Sequence, residues 1–258
     1  MTAISDIVDG SRRFNLAFAL AWEDLKDRYR RSYIGLAWII LSFLAFILVK
    51  QLVFSGFFEN DDYDFFSHLV IGFALFGFIN STVSGAANLF VSNRTWILSC
   101  NLPYTIYAHV LALRSLAELA IIAIAAAFLI AMSGDARPGF VWSLFVAVSL
   151  YYVTAIALCL AFGPIGVRYR DFVYALQTVM RVMFFATPII WVAQPGTIRG
   201  AIAFWNPLTY YLDIIRVPII EGRVPWGSWG ITLAFTSIIA LLGLWNFSRT
   251  KRNVPLWL

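Results

Sequence analysis

WEDLKDRYRRSYIGLAWIILSFL, residues 22–44, changes character halfway along. Seven of its first ten side chains are charged, and from Ile34 the sequence runs on almost wholly apolar. A helix needs about 20 mostly apolar residues to cross roughly 30 Å of hydrocarbon; the second half begins such a run and the first half cannot enter one. Upstream, Phe14, Ala17, Phe18, Ala21, Trp22, Leu25 and Tyr29 fall on one helical face, with Arg12, Glu23, Lys26 and Arg30 on the other. The spacing predicts an interfacial amphipathic helix over 11–33, its basic residues toward lipid phosphates and Trp22 and Tyr29 at the boundary. The chain then turns upward at 32–35 into the first span. A charged helix that merely precedes the span is the alternative.

Working outward, the 258 residues are 61% hydrophobic and 13% charged, against about 25% charged in soluble proteins. That composition implies an all-α polytopic membrane protein with a single domain, 1–258. Apolar runs predict six transmembrane helices at about 34–57, 66–90, 107–132, 141–163, 172–193 and 228–247. With the N-terminus inside, the cytoplasmic segments hold twelve Lys and Arg and the outer ones four. This places both termini in the cytoplasm. The net charge of +5 then points to membrane lipids as the anionic partner and not to nucleic acid. The N-terminus lacks the apolar core of a signal peptide, so the first span is expected to target the chain.

Residues 194–227, on the outer side, are too apolar for an ordinary loop, yet Pro207 and Pro218 divide them into pieces too short to cross. Asn206-Pro207 reads as a helix start. A re-entrant helix pair between spans five and six is expected, with two helices lying flat on the surface as the alternative.

Catalytic patterns are sparse. His68 and His109 pair with no nucleophile, no HExxH or metal-ligand spacing occurs, and Asp61, Asp62 and Asp64 read as a solvated loop. Cys100 and Cys159 read as packing residues. A P-loop needs a Lys after Gly, and Lys26, Lys50 and Lys251 each follow another residue; the chain is therefore not expected to be an enzyme. Within spans, Arg114 and Glu118 stand four apart and can pair. Lys50 either snorkels outward or lines a channel, and Arg181 faces an aqueous cavity or the inner headgroups.

LKDRYRRSYIGLAW (25–38) resembles the LKxRYxxSxLGxxW signature opening the membrane subunits of ABC-2 type polysaccharide exporters. Arg170-Asp171 followed by FFATPIIW (184–191) is similar to that family's RD and SPIxW pattern, and Asn206-Pro207-Leu208 with Arg216 to its NPL and Arg segment. The resemblance runs from about 11 to 250. It departs where Ala186-Thr187-Pro188 replaces the usual Ser-Pro, and where span one lacks a frequent Pro. It implies a homodimeric permease in the bacterial inner membrane with two separate nucleotide-binding subunits, which carry ATP and Mg. The cargo implied is polysaccharide on undecaprenyl diphosphate, of the O-antigen, capsule or teichoic acid kind. On that view Arg28, Arg30 and Arg31 meet the lipid diphosphate, while Tyr33, Trp38, Lys50, Phe184 and Phe185 border the polysaccharide path. The loop 93–103, with Arg94, Trp96, Asn101, Leu102 and Pro103, holds a helix that couples to the ATPase, and Arg170 and Asp171 add contacts. An ABC-2 exporter of another lipid or a drug is the nearest rival, ahead of a lipid-modifying membrane enzyme.

Overall fold

The computed structural model describes residues 3–30, 32–54, 65–133 and 139–258, and these contain helices and no strand. Arg31, the acidic loop with Asp61, Asp62 and Asp64, and Arg137 lie outside the described residues. In chain order the α-helices are α1 (Ala3–Arg12), α2 (Phe14–Tyr29), α3 (Ala37–Phe54), α4 (Phe65–Ser92), α5 (Arg94–Ser99) and α6 (Tyr104–Ser133). There follow α7 (Val141–Arg168), α8 (Arg170–Ala186), α9 (Ile198–Trp205), α10 (Pro207–Ile220), α11 (Trp226–Thr250) and α12 (Val254–Trp257).

Four helical stretches are long and apolar enough to cross a membrane: α4, α6, α7 and the continuous run Trp226–Trp257. The expected first and fifth spans are shorter. The apolar part of α3 is Ala37–Val53, and α8 has 17 residues and stops at Ala186, before the expected 193. Pro188 accounts for the stop, because a residue before proline is pushed out of the helical region and Thr187 is extended at φ −93°, ψ 137°. Pro164 has no such effect on α7, which runs to Arg168, past the expected 163. There the helix is clamped to α4, so closely that a Cβ on Gly166 would come within 1.8 Å of the Ala87 carbonyl oxygen. Only glycine permits that approach, in the manner of small-residue contacts between membrane helices.

Helix α4 is the hub, packed on both α6 and α7, with α11 on the far side of α7 and α10 closing the end at which α4 begins. Tyr151 of α7 is wholly buried, stacks on Phe78 of α4 at 5.2 Å, and donates its hydroxyl to the Tyr211 carbonyl of α10 at 2.6 Å. The Tyr211 and Thr154 hydroxyls meet Thr236 of α11 at 2.7 and 2.9 Å. Three helices, α7, α10 and α11, thus share one satisfied polar knot in an apolar interior, where an unpaired hydroxyl would be costly.

The helix expected over 11–33 is present as α2, Phe14–Tyr29, and a further helix, α1, precedes it. The apolar face of α2 divides: Ala17, Ala21 and Leu25 are buried against α6, while Phe14, Phe18 and Trp22 in the neighbouring row remain exposed. The small side chains of the first row allow close packing on protein; the second row is left for the lipid boundary. The C-terminal residues after α11 continue as a 3-10 turn and α12, with Val254 fully buried and α12 lying against α7.

Candidate functional site

Three places gather the residues that the sequence singled out. The first lies between α2 and α6. Arg114 of α6 forms its closest ion pair with Asp24 of α2, while its Nε is 4.0 Å from Glu118. Arg28 approaches the same Glu118 oxygen at 3.9 Å. The i,i+4 pair is therefore part of a four-residue network that joins the surface helix to a span. Beside it opens a cleft of about 380 Å³, lined by Glu23, Asp24, Asp27 and Arg28 of α2, Trp96 of α5 and Arg114. Arg28 borders this cleft with half of its side chain exposed; Arg30 is mostly exposed and pairs with Asp27 at 3.5 Å. Tyr29, between them, has its phenol pKa raised, first by burial and next by the Glu118 carboxylate.

Around Lys50 lies the second. Its ammonium sits 4.1 Å from the ring centre of Phe73 and 4.3 Å from that of Phe184, within cation–π range. Phe184 also meets Phe76 and Phe185 edge-on at 5.3 and 5.2 Å, and Phe73 meets Phe43 and Phe46. The structure thus brings Lys50, Phe184 and Phe185 together. It leaves Tyr33 and Trp38 out, both exposed near the start of α3, with Trp38 about 18 Å along the helix axis from Lys50. Phe43, Phe46, Phe73 and Phe76 were missed, although two i,i+3 aromatic pairs, with Lys50 one turn after Phe46, were visible in the sequence. On α8, Tyr174, Thr178, Arg181 and Phe185 form an exposed stripe at i, i+4, i+7 and i+11. Arg181 lies well inside that helix, where lipid tails do not tolerate a cation.

The third comprises the connections at the end of the bundle where α4 and α7 finish. Helix α5 has no buried residue and exposes Trp96 and Leu98; Arg94 and Asn101 are also exposed, Leu102 is half-buried and Pro103 buried. Arg170 and Asp171 are exposed at the start of α8, and the Arg168 guanidinium just before them stacks on Tyr169 and Trp257. A neighbouring feature was not anticipated. Asp6 of α1, 2% exposed, accepts from the backbone N–H groups of Tyr104 and Thr105 at 3.2 and 3.0 Å and pairs with Lys251 at 2.7 Å. It caps α6 from another helix and ties the chain's two ends to the end of the 93–103 connection. The approach is tight at Gly10, where a Cβ would lie 2.1 Å from the Thr105 hydroxyl.

At the opposite end of the bundle, two of the motifs behind the family resemblance, FFATPIIW and Asn206-Pro207-Leu208 with Arg216, converge on the broken end of α8. Asn206 caps α10 by accepting from the Leu208 N–H at 2.9 Å, and its amide donates to the Ala186 carbonyl and the Thr187 hydroxyl. Arg216 donates to the Pro188 carbonyl at 2.8 Å, pairs with Asp213 at 2.6 Å and touches the ring of His68. Trp191 donates its indole N–H to the Phe185 carbonyl. Carbonyls freed where the helix stops are thus claimed one by one. Contrary to expectation Pro218 divides nothing, since α10 runs through it to Ile220.

A family model described as ABC-2 type transporter matches residues 15–220. Over 242 residues the chain is 22% identical to the O-antigen export system permease protein RfbA of Myxococcus xanthus, an alignment that covers 92% of this chain and 93% of that protein.

Proposed function

Since the chain belongs to the ABC-2 type transporter family, we propose that it is the permease subunit of an ATP-driven exporter for polysaccharide linked to undecaprenyl diphosphate. It works as a homodimer with two nucleotide-binding subunits, which supply ATP and Mg, in a bacterial inner membrane with both termini in the cytoplasm. In this reading α3 and α8 complete a set of six spans, and α9 and α10 form the re-entrant pair on the outer side. The observation that carries it is the exposed α8 stripe of Tyr174, Thr178, Arg181 and Phe185. A face that sets a charge, a hydroxyl and two aromatic rings among the equally exposed Ala175, Val179 and Val182 suits a path shared with a second copy better than it suits lipid, because of the cation. Likeness along nearly the whole chain to a protein named as an O-antigen export permease supports the substrate class.

The mechanism follows from the connections. ATP-driven closure of the partner subunits pushes on α5 and on the 168–171 turn. The network of Asp24, Arg114, Glu118 and Arg28 passes the displacement between α6 and α2, and the path opens between α3 and α8 of the two protomers. Arg28, Arg30 and Arg31 receive the diphosphate group at the cytoplasmic face.

The test is co-purification from native membranes with a tag on this chain. A stoichiometric P-loop ATPase and vanadate-sensitive hydrolysis are expected; absence of such a partner from the folded, extracted chain overturns the exporter reading. In the assembled complex, Arg28→Ala with Arg31→Ala is expected to lower export while the ATPase subunits stay bound. Unchanged export removes the arginines from the headgroup role. Export of a drug or of another lipid in place of polysaccharide identifies the rival substrate class.

A further inference from the structure

Lys50 and Arg181 reach the same level of the bundle from different helices. Lys50 stands thirteen residues beyond the first residue of α3 and Arg181 eleven beyond that of α8, and both helices start at the cytoplasmic end. At 1.5 Å per residue the two lie about 20 and 16 Å along their axes, well within a hydrocarbon layer about 30 Å thick. A side-chain contact fixes the registry independently. The Lys50 ammonium lies 4.3 Å from the ring centre of Phe184, one turn beyond Arg181 on α8.

Neither cation has a carboxylate partner among the described residues. Arg181 is exposed and Lys50 half-buried. A cation at this depth is costly against lipid tails and marks a water-filled pathway or an anionic ligand. The Lys50 ammonium lies 4.1 and 4.3 Å from the ring centres of Phe73 on α4 and Phe184 on α8, so it faces neighbouring helices at cation–π distance.

We propose that Lys50 and Arg181 form an anion-binding station inside the translocation path, and that its ligand is the diphosphate group of the lipid-linked substrate. The inference rests on the exporter reading above. A neutral sugar chain has no need of two cations in the middle of a membrane, whereas a diphosphate carries charge and many acceptor oxygens. A guanidinium binds such a group through two parallel hydrogen bonds, and an ammonium adds a point charge. Phe184 and Phe185 beside the cations offer apolar surface to the prenyl chain. The station is separate from the arginines of α2 and lies deeper, so the headgroup moves from a cytoplasmic receiving point to an intramembrane one.

The experiment measures binding of farnesyl diphosphate and of farnesol to the purified complex, with its ATPase subunits, in nanodiscs of phosphatidylcholine. Wild type is compared with Lys50→Gln, Arg181→Gln and the charge-retaining Arg181→Lys. The dissociation constant for farnesyl diphosphate is expected to rise about 10- to 100-fold in each Gln variant, the effect of losing a hydrogen bond to a charged group. Farnesol binding stays unchanged and Arg181→Lys retains part of the affinity. Equal binding of the diphosphate by wild type and the Gln variants overturns the station, as does competition by phosphatidylglycerol at equal strength, which makes the ligand an ordinary anionic lipid. Should a Gln variant fail to assemble, a photoreactive farnesyl diphosphate on the unaltered complex decides: labelling of α3 and α8 around 50 and 181 supports the station, and labelling elsewhere overturns it. A wild-type complex that hydrolyses ATP and exports, yet binds the diphosphate independently of these charges, defeats this inference alone. Failure to find an ATPase partner defeats the exporter reading beneath it.

Discussion

Arg114 shows what a residue's neighbours in sequence reveal and what they hide. Its spacing from Glu118 announced an ion pair, and the two do approach. Its closer partner, Asp24, lies 90 residues away, and no periodicity could have signalled it. The same holds for Asp6, whose two backbone acceptances on α6 come from 98 and 99 residues along the chain. Arg114 is 12% exposed and neutralises two carboxylates, of which Glu118 is the more buried. Removing one partner of a wholly buried pair costs about 3–5 kcal/mol. With Asp24 nearly half exposed, Arg114→Met is expected to cost roughly 2 kcal/mol, the discount being for solvent screening. Thermal unfolding in detergent checks this, with part of the loss recovered when Glu118→Gln is added. An unaltered melting temperature removes the network from the account of how α2 is held.

At the scale of elements, the long apolar runs were legible because each needs only composition and length, and α4, α6, α7 and α11 lie close to their expected positions. The Asn206-Pro207 start of α10 was legible because capping is local. Helix α1 and α12 were not, because their order comes from docking: Asp6 and Gly10 on α6, and Val254 beneath α7. Nor was the use made of the SPIxW-like and NPL-like stretches, which meet at the end of α8 only once the chain has folded. Asn206 satisfies both the Ala186 carbonyl and the Thr187 hydroxyl. Asn206→Ala strands these groups and uncaps α10, an expected loss of about 1–3 kcal/mol, read as a lower melting temperature of the extracted protein. Full stability of that variant means that the joint is held by packing and not by the amide.

For the whole molecule, the proposed orientation rests on the distribution of positive charge and can be tested with the two native cysteines. Cys100 is partly accessible just after α5, and Cys159 is fully buried in α7. A membrane-impermeant maleimide is expected to label Cys100 in inverted vesicles and not in intact spheroplasts, and to reach Cys159 only after denaturation. Labelling of Cys100 from outside reverses the topology. Of the candidate sites, the aromatic nest of Lys50 was half visible in the sequence, since Lys50, Phe184 and Phe185 were singled out without the α4 rings that join them. The coupling connections were visible only through family resemblance, and the α2–α6 cleft was not visible at all, because it exists only where separate helices meet. The early end of α8 reaches beyond the protein itself. Seventeen residues make a rod of about 25 Å, shorter than the roughly 30 Å that a span has to cross; in the proposed six-span arrangement this mismatch favours a locally thinner bilayer. In that arrangement the headgroups of the leaflet at the broken end of α8 come closer, and the distance a carrier lipid must be flipped is shortest where the proposed path opens. The thickness of the host membrane becomes a variable of the transport step.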